Sequence, residues 1–263
     1  MSQKKTIHYC WFGGSPLGEK ELACIESWKR FMPDYEIKQW DESNWDVRCC
    51  DYVSEAYDAR MWAFVSDYAR FDILYHFGGV YFDTDVELIR PIDDILSQGP
   101  FLGFEKNCFE GNRSSMDVAG YPVANPGLGM FAVPGMDFYK KLLRSYEDGH
   151  FANSDGSFDK TTVVIRVTRE LIKDGLKKGD GVQCVDGIRL YPSDFFNPKD
   201  FITGRVTTSN NTRSIHHFSM SWYSPVRKYK HELGSKMISR GVPKTIARLL
   251  SILVAVCKYR RIQ

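Results

Sequence analysis

Residues 66–85 read S-D-Y-A-R-F-D-I-L-Y-H-F-G-G-V-Y-F-D-T-D. Phe64, Tyr68, Phe71 and Tyr75 recur at the spacing of one helical face, which predicts a helix over residues 59–77. Gly78-Gly79 ends it, because glycine takes the left-handed position after a helix at little cost. Val80-Tyr81-Phe82 follows as a short buried strand, and Asp83 and Asp85 stand where that strand stops. Two apart on an extended backbone, their side chains leave the same face. Carboxylates so close repel each other unless a cation or a proton sits between them. Hard oxygen ligands suit Mg²⁺ or Mn²⁺, and such a cation suits a diphosphate. An isolated Asp-x-Asp is as readily a solvated turn or a helix N-cap. The helix, glycine pair and buried strand in front of this one favour a binding site, since ligands of α/β sheets sit beyond the carboxyl ends of strands.

Upstream, residues 6–12 form an apolar, β-prone run that ends at Gly13-Gly14. Trp11 at its end is either a platform for a flat ligand or a core indole. Residues 19–31 predict an amphipathic helix with Leu22, Ile25 and Trp28 inward, stopped by Pro33. Residues 35–40 predict a second strand whose polar exit, residues 41–44, lies at the same edge as Gly13 and Asp83. A short helix is expected over residues 45–57. Downstream, strands are expected near 100–105, 130–133 and 213–218, paired strands over 182–191, and helices near 136–146 and 162–176, with residues 192–198 a loop. Residues 106–120 are rich in Gly, Asn and Ser and are expected to form a mobile loop over the site. Strands alternating with helices give an α/β class.

The 263 residues carry a net charge of only +2, which does not suggest a nucleic-acid partner. The charge is uneven: residues 236–263 hold seven Lys or Arg and no Asp or Glu, so the remainder stands at −5. The division expected is a catalytic domain over residues 1–235 and a basic tail over 236–263. That tail contains T-I-A-R-L-L-S-I-L-V-A-V-C between cations, too short to span a bilayer but suited to a helix in an anionic membrane surface. The alternative is a helix docked on the domain. Seven cysteines without a C-x-x-C pair, and no apolar leader near Met1, predict free thiols in a reducing compartment.

There is no G-x-x-x-x-G-K-[S/T] and no G-x-G-x-x-G, so a P-loop or a dinucleotide cradle is not expected. An Asp-x-Asp phosphohydrolase fits poorly, because Glu87 stands where that pattern wants Thr or Val. Asp67 and Arg70, one turn apart, read locally as a surface ion pair. His216 and His217 read locally as core or surface histidines, though either at a strand end would complete an Asp-bound metal site.

Three segments together, I-H-Y-C-W-F-G-G, S-D-x-x-R-x-x-x-L-x-x-x-G-G-x-Y-x-D-x-D and I-H-H-x-x-x-S-W, resemble glycosyltransferase family 32, over residues 6–222. The resemblance implies a GT-A fold, with a central mixed, mostly parallel sheet flanked by helices. It also implies a nucleotide-sugar donor, a divalent metal (Mn²⁺, or Mg²⁺) and retention at the anomeric carbon. It assigns Trp11 to the base. Asp67 and Arg70 would hold sugar hydroxyls and phosphate, Ser66 and Tyr81 would line the donor pocket, and Asp83 would contact ribose and sugar. Asp85 would ligate metal, with His216 first and His217 second as its partner, and Ser221 and Trp222 would close over the diphosphate. Asp83, Asp85 and Arg70 are thus the expected catalytic residues. The expected activity is transfer of a hexose from a UDP-linked donor to a saccharide hydroxyl, with a lipid-linked polysaccharide precursor as acceptor, at the inner face of a bacterial plasma membrane. The alternative is a non-catalytic nucleotide-sugar-binding protein on the same fold.

Overall fold

A computed structural model describes residues 5–110, 115–220 and 223–260. Its elements are β1 (Thr6–Cys10), α1 (Glu19–Phe31), β2 (Glu36–Trp40), α2 (Asp51–Asp58), α3 (Trp62–Phe77), β3 (Gly79–Tyr81), β4 (Val86–Leu88), α4 (Asp93–Leu96) and β5 (Phe101–Lys106). There follow β6 (Val123–Ala124), β7 (Met130–Ala132), α5 (Asp137–Glu147), α6 (Val163–Lys173), β8 (Gln183–Val185), β9 (Ile188–Tyr191), α7 (Ser193–Phe196), β10 (Ser214–His216), α8 (Pro225–Ile238) and α9 (Lys244–Arg260).

The central sheet runs β2-β1-β3-β7-β5-β9-β8, with β6 added to β5. Ile7 of β1 lies opposite Ile37 and Val80, in parallel register on both sides. β7 is antiparallel to β3 and to β5, which makes β5 co-directional with β3. β9 is parallel to β5, while β8 and β6 run the other way. This is the mixed, mostly parallel sheet flanked by helices that the sequence predicts. β1, β2, β3 and β5 all point their carboxyl ends to one edge, so Trp11, Asp41, Asp83 and Glu105 emerge there.

Helices cover both faces because β3 and its neighbours alternate around a fully buried sheet. Val80 and Phe82 pack with Ile25 and Trp28 of α1. Tyr81 faces the other way, into the cluster that Phe71 and Tyr68 of α3, Tyr139 of α5 and Val167 of α6 also help to form. Trp28 is wholly buried, and its indole N–H donates to the Val86 carbonyl (2.7 Å), fixing α1 against β4. Leu22, expected inward, is 49% exposed, and Cys24 takes the buried position on that turn.

Two helix starts differ from the sequence reading for local reasons. α2 begins at Asp51 rather than near residue 45, because the Asp46 carboxylate accepts from Arg48 N–H (2.8 Å) and forms a turn that competes with helix. α3 begins at Trp62 rather than 59, because Met61 N–H returns to the Ala56 carbonyl (2.9 Å) to close α2. Arg60 takes the left-handed conformation there (φ 56°), a position where glycine usually marks the boundary. The stretch 192–198, expected as loop, contains the single turn α7. Of the expected mobile loop, residues 111–114 lie outside the described residues.

α8 is not anticipated by the sequence reading. Ser224 caps it, accepting from Arg227 N–H, and Pro225 occupies its first turn. Position 236 falls within this helix. α9 folds back on α8 with Ala247, Ser251 and Ala255 inward, and Ser251 Oγ lies 3.6 Å from where a Cβ on Gly234 would be. The large side chains turn out: Leu249 is 64% and Leu253 61% exposed. No helix among the described residues is long and apolar enough to cross a membrane.

Candidate active site

Beyond β3 the chain does not stay extended. Asp83-Thr84-Asp85 forms a turn, with Val86 N–H bonded to the Asp83 carbonyl (3.0 Å). The two carboxylates therefore converge through the turn and not, as the sequence reading has it, through strand alternation. β4 then pairs antiparallel with β10, His216 opposite Val86. This small ladder carries His216 to Asp85, with Nε2 and Oδ1 3.1 Å apart. The other Asp85 oxygen accepts from Ser219 N–H at 2.7 Å. Burial opposes the Asp85 charge, but His216 and the Ser219 N–H outweigh it and hold the carboxyl well below the usual range. Burial equally disfavours the imidazolium, and Asp85 overrides it, raising His216.

One donor atom each from Asp83, Asp85 and His216 lie within 4.8 Å of one another. Two carboxylates and an imidazole form a donor set that can hold a divalent cation. His216 turns Nε2 to Asp85, while its buried Nδ1 has no hydrogen-bond partner among the described residues and keeps a lone pair or proton to spare. His217 does not join this group: neighbours on a strand point to opposite sides, and its ring meets Glu87 at 2.8 Å.

α3 supplies the second half of the site. Arg70 is buried, with one guanidinium nitrogen 2.9 Å from Asp67 and another 3.3 Å from Asp83. Its Nε donates to the Ser66 carbonyl (3.0 Å), and its head lies 5.1 Å from the Tyr81 ring. The Tyr81 hydroxyl donates to Asp83 Oδ1 at 3.1 Å. The pair read locally as a surface ion bridge is thus interior. Burial is the main influence on Asp67 and pushes its carboxyl up to about 6, against the pull of Arg70. The Ser66 hydroxyl is turned back to the Trp62 carbonyl (3.1 Å).

Trp11 is half-buried just past β1, its indole N–H donating to the Ser15 carbonyl (2.6 Å). Next to it, Gly13 (φ 93°) donates to the Glu42 carboxylate (2.5 Å), and a Cβ there would lie 2.5 Å from Trp62 Nε1. Ser221 and Trp222 lie outside the described residues.

Sequence reasoning missed several neighbours. Asn125 and Gly127 read only as a turn, yet Gly127 accepts Asp83 N–H (3.1 Å), and a Cβ on it would lie 2.1 Å from Asp83 Oδ2. Asn125 holds that turn through Gly127 N–H (2.8 Å) and donates to Glu105 (2.8 Å). The signal available was the Asn-Pro-Gly pattern before a strand; nothing local ties it to Asp83. Trp62 gave no sequence signal of its own, whereas Glu42 belongs to the polar exit 41–44 that the sequence placed at the edge of Gly13.

Residues 18–102 match the family model of the glycosyltransferase sugar-binding region containing a DXD motif. Inositol phosphoceramide mannosyltransferase 1 of Schizosaccharomyces pombe is 30% identical over 112 residues, covering 37% of this chain and 33% of the relative. Inositol phosphoceramide mannosyltransferase 3 of the same yeast is 34% identical over 96 residues, 35% and 27% respectively. The chain thus spans about a third of the length of these curated relatives. Among solved structures, the PaToxG glycosyltransferase aligns at TM-score 0.43 and 17% identity, over 65% of this chain and 70% of that one. The galactosyltransferase LgtC, in complex with donor and acceptor sugar analogs, aligns at TM-score 0.49 and 13% identity, over 92% and 95%. Residues 18–102 are thus similar to the glycosyltransferase sugar-binding region containing a DXD motif, and Asp83-Thr84-Asp85 is an Asp-x-Asp within the matched stretch.

Proposed function

We propose that the protein is a metal-dependent retaining glycosyltransferase that moves a hexose from a UDP-linked donor to a hydroxyl of a saccharide acceptor. The observation that carries the reading is the convergence of Asp83, Asp85 and His216 beside the buried Arg70. A divalent cation bound by those three residues would neutralise charge on a leaving diphosphate. Arg70, locked by Asp67 and Asp83, offers a pre-oriented positive charge and loses little order on binding an anion. Tyr81 and Arg70 hold the Asp83 carboxylate in place, so a sugar or ribose hydroxyl meets a fixed acceptor. Trp11 offers an aromatic face to the base. In the front-face mechanism we favour, the bond from the anomeric carbon to the phosphate oxygen breaks. The acceptor oxygen bonds to the same face, and its proton passes to the departing phosphate. The products are the lengthened saccharide and a nucleoside diphosphate.

The acceptor in this reading is a lipid-linked polysaccharide precursor, met at the inner face of a bacterial plasma membrane. The outward-facing leucines of α9, together with Lys244, Arg248 and Lys258, support contact with an anionic bilayer surface. The names of the two yeast relatives, both mannosyltransferases of a ceramide lipid, support a lipid-borne acceptor.

The test is nucleoside diphosphate release from a panel of nucleotide sugars with Mn²⁺, against EDTA and an Asp85→Asn control. Release from one donor, abolished by both controls, is the expected result. Tight binding of a nucleotide sugar without turnover across a panel of glycoside acceptors would overturn catalysis and leave a binding protein.

A further inference from the structure

Residues 197–207 pack beside the segment that carries His216. Lys199 and Val206 pair across an antiparallel bridge, closed by Gly204 N–H to the Asp200 carbonyl (2.8 Å). Phe201 at the tip sits edge-on to Phe218 (ring centroids 5.1 Å) and 4.3 Å from the His231 ring of α8. Phe218 in turn stands edge-on to His216 at 4.4 Å. Phe218 takes a left-handed backbone conformation (φ 55°), which a bulky residue adopts only when its surroundings impose it. The loop is therefore pinned to the segment that carries His216.

Lys199 lies at the root of this loop. The residue is half-buried, and its ammonium donates to the His217 carbonyl at 2.8 Å, one residue from His216. It makes no ion pair within 4.0 Å among the described residues, although the Asp85 charge reaches it and Lys20 of α1 repels it. An ammonium has three N–H donors, and one accounts for the bond to His217. Removing a cation from water without a counter-ion is costly, so such a group is retained where an anion arrives. The only strongly anionic part of the proposed donor is its diphosphate.

We propose that Lys199 binds the diphosphate of the nucleotide sugar on the Asp85–His216 side of the site, as Arg70 serves the Asp83 side. The proposal rests on the donor reading above and adds a binding residue to it. A merely structural Lys199 would brace the loop against His217 and leave nucleotide affinity unchanged once the fold is intact.

The experiment is calorimetric titration of the full chain and its Lys199→Met and Lys199→Arg variants with UDP, GDP, uridine and guanosine, in the presence of Mn²⁺. The expected result is a diphosphate Kd raised about 10- to 100-fold in K199M, the range of a charge-assisted hydrogen bond, and largely restored in K199R. Nucleoside affinity and thermal midpoint should stay at wild-type values. Wild-type diphosphate affinity in K199M would overturn the assignment, and so would a parallel loss of nucleoside and diphosphate binding. Failure of the wild type to bind any diphosphate would overturn the donor reading itself, a result separable from failure at Lys199 alone.

Discussion

Asp85 and His216 face each other at 3.1 Å across the β4–β10 ladder, while His217, the next residue, turns its ring to Glu87. Two adjacent histidines therefore have separable fates. His216→Gln should weaken Mn²⁺ binding at least 10-fold, the scale on which even supporting groups of a metal site act. His217→Gln should leave Mn²⁺ affinity unchanged. Titration of each variant with Mn²⁺, followed by calorimetry or electron paramagnetic resonance, checks the pair. The reverse order of losses would mean that His217 is the ligand.

Gly127 leaves no room for a side chain beside Asp83. Gly127→Ala would drive a methyl into Oδ2 and push the carboxylate away from Arg70 and Tyr81. Misplacement by about 1 Å costs on the order of 100-fold in rate, so donor turnover in this variant should fall by that factor. The Asp83 side chain is 30% exposed and has space to swing outward, so the stability loss should stay near ~1 kcal/mol. Turnover and a thermal melt of the same preparation test this; wild-type turnover would show that Asp83 is not held for catalysis.

His8 offers a pH signature of the sheet itself. Its Nε2 bonds the Gly78 carbonyl (3.0 Å) and its Nδ1 accepts from Trp40 Nε1 (3.0 Å), a pattern that fits only the neutral ring. Burial, the dominant influence, lowers its pKa from 6.5 to about 4. Between those values the unfolded chain binds the proton and the folded chain does not, so folding stability falls as pH drops through this window. The loss should approach ~3 kcal/mol. Urea denaturation at pH 7 and pH 4.5 should show this decline in the wild type and a smaller one in His8→Gln. Identical pH slopes in the two proteins would remove His8 as its source.

Leu249 and Leu253 project from α9 and stay largely exposed. Changing both to Gln should leave the thermal midpoint essentially unchanged, as surface substitutions do. Each leucine is worth about 1.5–3 kcal/mol when moved out of water, so partition onto vesicles containing anionic lipid should drop at least 10-fold. Co-sedimentation measures it. Undiminished binding would assign the outward face to something other than a bilayer.

The local elements that carry the site were legible because short-range chemistry dictates them. The aromatic stripe Phe64-Tyr68-Phe71 gave α3, Gly78-Gly79 its end, and Val80 to Phe82 a strand too apolar to lie outside. What escaped was geometry imposed by residues distant in the chain. Arg60 in a left-handed conformation separates α2 from α3, a boundary that glycine would have announced. The burial of the Asp67–Arg70 pair belongs to a helix that α5 covers, which no spacing within α3 reveals.

By itself, then, the sequence determined an α/β chain with two carboxylates at a strand end, because hydrophobic period and glycine placement act over a few residues. Only the tertiary structure decided which histidine meets Asp85. Strand polarity sends neighbours to opposite sides, but which side faces the site depends on the β10 register against β4. Tertiary structure likewise brought Gly127 against Asp83 and Lys199 beside His217, contacts between segments that pattern alone does not join.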